Sequence, residues 1–257
     1  MSAPATSSAP PAPATPTAPP RSGEIQDAGA VRRDSVRAQR WSASGAAKIL
    51  GDVDVDEATL SGLASIRGQL LGGSVAASGT LDVGGSVRLT GTFRTAGTAT
   101  IGHGVQAADV DSSGALSVAG PVQASGTVRW KGALDTTEGI TAGRVDFEGS
   151  ASVAGAIVAT QLEGRLRGGS KVGSITADRV RITRPARLFG HSELHVLTIE
   201  AKEVELEAVT AQHVKAERIA LGPGCQIAGV EGTITRQHAS AHVGPASRTP
   251  PPYGLMR

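Results

Sequence analysis

Aromatic residues make up only 2% of this 257-residue chain, and it holds one cysteine. A thick globular core leans on large aromatic side chains. Here the apolar fraction, 39%, comes mainly from Val, Ile, Leu and Ala, beside 34 glycines. That mixture suits a thin core repeated many times. The lone Cys225 excludes an internal disulfide framework and fits a reducing compartment. Nowhere do 18 apolar residues run together, and MSAPATSSAPPAPATPTAPP carries no apolar stretch behind a basic start. The expectation is a soluble, cytoplasmic protein. Charge of one sign is lacking too: the net charge is +2, too balanced for nucleic acid to be an expected partner.

The two ends are short of core residues. Residues 1–51 hold a Pro, Ala, Ser and Thr tract followed by the basic segment VRRDSVRAQRW, and residues 233–257 include QHASAHVGPASRTPPPYGLMR. Such compositions bury too little apolar surface to offset chain entropy. Both are predicted to be disordered tails around a folded region spanning 52–232.

The middle of the chain has a beat. Val75, Leu81, Val87, Phe93, Ala99 and Val105 recur every six residues, several with a second small or apolar residue two positions on. After one dropped residue the beat resumes at Val110, Leu116, Val122, Val128, Leu134 and Ile140. It is less regular through Ala151, Ile157, Leu162, Ile175 and Val180, then tightens to five at Leu194, Ile199, Val204, Val209, Val214 and Ile219. This last stretch, TIEAKEVELEAVTAQHVKAERIALGPG, has a helix-favouring composition. Positions five apart nevertheless scatter around a helix. A short strand facing inward at i and i+2, then a turn, satisfies the spacing. Three such steps make one coil of roughly 15 to 18 residues in a solenoid of parallel strands. The predicted fold is therefore all-β, a parallel β-helix of triangular section, with Gly79, Gly85, Gly91 and Gly97 at its corners.

The run ATLSGLASIRGQLLGGSVAASGTLDVGGSVRLTGTF and the closing KAERIALGPGCQIAGVEG resemble the bactofilins, bacterial polymer-forming cytoskeletal proteins. The likeness covers most of 52–232 and rests on pattern rather than on a unique motif. It implies a right-handed β-helix that assembles end to end into filaments without nucleotide or other cofactor. It also implies a scaffold role in cell shape, envelope or motility, with the chain itself as principal partner. The repeat region is long for that family, and the N-terminus lacks the short apolar membrane-targeting stretch that some members carry.

A second argument for self-association needs no family. Each end of a solenoid exposes unpaired backbone groups over an apolar cross-section, normally hidden under a cap. No cap is legible here. The expected end surfaces are Leu60, Leu63 and Ile66 in the first strands and Ile219, Leu221 and Ile227 in the last.

Chemical readings compete with this one. Ile101-Gly102-His103-Gly104-Val105 resembles the hexapeptide repeats of left-handed β-helix acyltransferases, in which a His serves as base; the interrupted hexad and the want of a long loop favour a solvated corner His103. Gly102 to Ala107 fits G-x-G-x-x-A, but a dinucleotide fingerprint needs a helix to follow. GRLRGGSK, from Gly164 to Lys171, has the wrong spacing for a phosphate-binding loop. His191 and His195, four apart, would share a face only on a helix. Cys225 has no base in sequence reach and reads as a small buried residue. No catalytic, cofactor or metal residue is assigned, and an enzyme is not expected; a β-helix acyltransferase and a monomeric, partner-binding scaffold are the alternatives. Arg32, Arg33, Arg37, Arg40 and Trp41 form the one segment suited to docking on an anionic membrane surface or an envelope-associated protein.

Overall fold

The computed structural model describes residues 21–185 and 192–244. Over them the chain forms sixteen strands and no helix: β1 (Ser22–Arg33), β2 (Val36–Ile49), β3 (Val53–Ile66), β4 (Leu70–Val83), β5 (Val87–Leu89), β6 (Thr92–Ile101), β7 (Val105–Ala107), β8 (Asp109–Val118), β9 (Val122–Ala124), β10 (Thr127–Thr136), β11 (Ile140–Leu166), β12 (Ser170–Thr183), β13 (Leu194–Leu206), β14 (Val209–Leu221), β15 (Gln226–Gln237) and β16 (His242–Val243). All pairings are parallel, and they join one sheet wound into a β-solenoid of about 13 turns.

The beat becomes stacking. Ile49 pairs with Ile66, Ile66 with Val83, Val83 with Ile101 and Ile101 with Val118, so an inward column climbs the axis one residue per coil. Three sides contribute. In the coil that begins at Leu70, that residue, the pair Val75 and Ala77, and the pair Leu81 and Val83 are buried. In the helix-favouring stretch the coil shortens, and Leu194 pairs with Val209, fifteen residues on. Its Glu200, Lys202, Lys215 and Glu217 all face water, so these charged helix-favouring residues take no part in the core, while Leu206, Ala211, Ala216 and Leu221 turn inward. Backbone bonds run between coils even at the turns: Val53 N donates to Gln69 O at 2.9 Å and Leu70 N to Ser86 O at 2.9 Å.

One corner is a column of glycines. Gly45, Gly62, Gly79, Gly97, Gly114 and Gly132 stack in register with φ between 100° and 120°. A Cβ on Gly79 would lie 2.2 Å from the Gly62 carbonyl oxygen. Successive backbones meet too closely there for any side chain. Outside the core a charge column follows the same register: Arg94, Asp111, Arg129 and Asp146 alternate in sign, with ion pairs of 3.5 Å at Arg94–Asp111 and 3.4 Å at Arg129–Asp146. Exposed pairs of this kind stabilise by roughly 0–1 kcal/mol each. Their stronger effect is on register, since a one-coil slip would stack like charges.

The folded region is longer than predicted. Two further coils, β1 and β2, occupy 22–49, where the sequence reading placed a tail, and at the other end β15 and β16 extend past 232. Alanine explains the first discrepancy. In β2 the inward residues are Val36, Ala38, Trp41, Ala43, Ala47 and Ile49, all buried. Half of them are Ala, which a count of branched apolar residues passes over although the solenoid accepts it wherever a neighbouring coil is larger. The remaining predicted tail, 1–20 and 245–257, lies outside the described residues.

Candidate assembly surfaces at the two coil ends

Among the described residues the first coil, β1, pairs only with β2, through eleven register positions. Its inward positions are those that stack on the β2 core: Ile25 on Trp41, Asp27 on Ala43, Val31 on Ala47 and Arg33 on Ile49. Ile25 and Val31 are half-buried. Asp27 and Arg33 are charged, and they bind each other. Arg33 Nη2 donates to Asp27 Oδ1 at 2.6 Å, Arg33 Nε to Oδ2 at 3.0 Å, and Trp41 Nε1 to the same Oδ2 at 3.0 Å. The Asp27 side chain is only 4% exposed and Arg33 38%. Arg33 first, then Trp41, hold the Asp27 carboxyl below its ordinary value, against the upward push of burial. The open edge of the N-terminal coil thus carries a satisfied ion pair over the indole of Trp41.

At the other end β15 follows β14, and β16 adds only two positions, Gln226 to His242 and Ile227 to Val243. The rest of β15 has no further strand beyond it among the described residues. Ile234, stacked on Ile219, is 38% exposed, and Val243, stacked on Ile227, is 39% exposed. Val230 is half-buried and packs on the core. Gln237 Nε2 donates to Ala241 O at 2.9 Å. Among the described residues no inward charge closes this end.

The six residues expected at the ends lie elsewhere. Leu60 is stacked between Ala43 and Ala77, and Ile66 between Ile49 and Val83, two coils in from the N-terminal edge. Ile219 and Leu221 lie under Ile234 and Gln237, and Ile227 under Val243. Five of the six are buried core; Leu63 is 53% exposed, beside the Gly62 corner. The cause is the missed coils at each terminus, which shift the true edges outward. The docking segment is also corrected. Trp41 is 1% exposed and bonded to Asp27, Arg33 is engaged by the same carboxylate, and Arg37 Nε lies 3.5 Å from Asp54. Only Arg32 and Arg40 of the five are exposed, because a strand sends alternate residues to opposite faces.

The other singled-out residues are placed as follows. His103 is exposed at a corner, its Nδ1 3.2 Å from Gly84 O, beside a shallow groove of about 460 Å³ lined by Gln69, Arg88, Gln106, Gln123 and Glu138. Gly102 to Ala107 runs into β7 and Gly164 to Lys171 runs from β11 into β12, with no helix after either. His195 is exposed and 3.7 Å from Glu193; His191 lies outside the described residues. Cys225 is buried, its Sγ donating to Leu206 O at 3.2 Å, and burial pushes the thiol up. Among the described residues no three His, Cys, Asp or Glu side chains gather as a metal group, and no helix is long and apolar enough to cross a membrane.

What sequence reading missed is the pair Asp27 and Arg33. The signal was there: Ile25 and Asp27, then Val31 and Arg33, keep the i and i+2 spacing six residues apart. Charged residues at inward positions conceal such a beat. Comparison with protein-family models finds no match, and comparisons with curated proteins and with solved structures find none either.

Proposed function

We propose that this protein is a structural subunit that assembles end to end through its terminal coils, in the manner the bactofilin-like pattern implies, without nucleotide or cofactor. The observation that carries the reading is that both terminal coils leave a parallel strand edge open among the described residues, beside half-exposed Ile25 at one end and Ile234 and Val243 at the other. Magnitudes show which force would drive it. Completing the burial of a few half-exposed aliphatic side chains contributes about 1 kcal/mol each, so roughly 3–5 kcal/mol in all. Association costs roughly 4–15 kcal/mol. The apolar surface alone does not suffice. A strand ladder like that between β13 and β14, with eleven register positions, supplies on the order of ten backbone bonds at about 1 kcal/mol each.

The ion pair at the N-terminal edge favours a second reading, a monomeric scaffold, since a satisfied charge pair is one way to finish an end. Sedimentation velocity and negative-stain microscopy of the full chain, without nucleotide, separate the two. Filaments or long oligomers are expected. A monomer at the highest attainable concentration would leave the scaffold as the better reading. For the location we infer the cytoplasm, where a free buried thiol such as Cys225 persists.

A further inference from the structure

We propose that residues 1–20, the Pro, Ala, Ser and Thr tract, dock in extended form on the solenoid of their own chain, with 9–15 lying in the groove beside His103. This contact is made within one copy and does not depend on end-to-end assembly. The groove, of about 460 Å³, runs along the axis. On one side stands an outward column of Arg88, Gln106 and Gln123, one residue per coil. On the other is the corner that carries His103 and Glu138, with Gly104 and Pro121 between the two sides in the chain.

The groove is lined by side chains without partners. Arg88, Gln106, Gln123 and Glu138 are exposed, and among the described residues nothing bonds to their side chains. Arginines elsewhere on the solenoid are paired: Arg129, Arg144, Arg179 and Arg181 each have a carboxylate oxygen within 3.4 Å. A row of unused donors suits a ligand that is chiefly an acceptor. Proline is such a ligand, since it keeps its carbonyl and has no N–H. The stretch Ala9-Pro10-Pro11-Ala12-Pro13-Ala14-Thr15 is the densest of this kind within 1–20.

Two further observations place the tract on this face. Arg21, one residue before the Ser22 that pairs with Ala38, stands at the head of the groove's own column: Arg37, Asp54, Leu71 and Arg88 follow it coil by coil. Its guanidinium reaches across to the Asp54 and Asp56 carboxylates and fastens the base of the tract there. From Arg21 to the start of the groove at Gln69 is three coils, roughly 14 Å. Five residues in the polyproline conformation, 16–20, cover that distance at about 3.1 Å each, which brings 9–15 over the groove. The periods also agree. Carbonyls on one side of a polyproline helix recur every three residues, about 9.3 Å, and two coils advance about 9.6 Å. Arg88 and Gln123 are two coils apart, so both meet carbonyls on the same side of the tract.

The test uses the full chain with paired cysteines, the native Cys225 being buried. Ala12→Cys is combined either with Gln106→Cys in the groove or with Ser117→Cys, exposed in the same coil on another side. A dilute mixture of isotopically light and heavy copies is mildly oxidised, and mass spectrometry of the digest gives the rate of each link and whether it lies within one copy. The Gln106→Cys pair should close at least about tenfold faster than the Ser117→Cys pair, the ratio that two or three modest hydrogen bonds produce. Arg88→Ala together with Gln123→Ala should bring that ratio towards one. Equal rates for the two pairs would overturn the docking and leave the groove to another ligand. A ratio that the two alanines do not move would overturn the role given to these donors. Links between light and heavy copies would put the tract on a second copy and overturn docking within one chain.

Discussion

Gly79→Ala tests the corner column directly. Gly79 has φ of 108°, and its added Cβ would sit 2.2 Å from Gly62 O and 3.1 Å from Gly62 C. Backbone in such a region costs a non-glycine residue about 1–3 kcal/mol. The overlap is with backbone atoms of the coil below, which are themselves held in a ladder, so neither coil can yield without stretching a hydrogen bond worth about 1 kcal/mol. Together these give a local loss of about 2–4 kcal/mol. A solenoid this long unfolds in parts, so the assay is hydrogen exchange by mass spectrometry on peptides from β3, β4 and β6. At about 1.4 kcal/mol per tenfold, exchange there should quicken between about thirty-fold and several-hundred-fold. Gly169→Ala is the control: nothing lies within 4 Å of its added Cβ, and exchange near it should barely change. Equal protection in the two variants would refute the argument that backbone contact dictates glycine at the corner.

Leu60→Lys, in the third coil, should unfold its neighbourhood by about 4 kcal/mol or more, whereas Ile234→Lys, already 38% exposed, should leave the circular dichroism spectrum intact and abolish assembly in sedimentation. Because the folded Asp27 carboxyl is held below its unfolded value of about 3.9, the stability it gives β1 is present above that value and is lost as pH falls through the lowered one. Trp41 fluorescence during thermal melts, in a Trp130→Phe background, should report this acid loss, and Asp27→Asn should remove it. Cys225 should resist a thiol reagent in the native protein and react once denaturant opens the coil, because it is buried and its thiol is pushed up; fast native labelling would contradict its burial.

The fold class was legible because a solenoid writes its geometry as a spacing. A step of five or six with an inward pair at i and i+2 has no other regular solution, and it named Val87, Leu116, Val128, Val204 and Val214, all buried. The ends were not legible, for two reasons. Ala38, Ala43 and Ala47 are inward residues with the composition of a tail, and Asp27 and Arg33 are inward residues with the composition of a surface. Both exceptions arise from the third dimension of the coil. An alanine is acceptable against a larger residue of a neighbouring coil, as Ala38 against Val55, Ala43 against Leu60 and Ala47 against Val31, and a charge is acceptable at an edge with no further coil among the described residues; neither condition shows in a one-dimensional pattern.

That compensation between coils also explains the scarcity of aromatics. In some columns a large residue lies against small ones: Leu60 lies between Ala43 and Ala77, Leu81 between Ala64 and Ala99, and Trp41 next to Ala58. Where two rings do stack, Trp130 and Phe147 at 4.8 Å, Gly164 gives up its side chain, since a Cβ there would lie 2.4 Å from the Phe147 ring. The core volume is therefore balanced along the axis rather than within a coil. A terminal coil has a neighbour on one side only and cannot be balanced this way. The first coil answers with charge, turning Asp27 and Arg33 toward each other where water still reaches the guanidinium. The last coil makes no such answer: Ile234 and Val243 stay apolar at positions where every internal coil has a residue above it. An end built like the middle of the solenoid, with only the next coil missing among the described residues, is the feature on which the proposed end-to-end assembly depends.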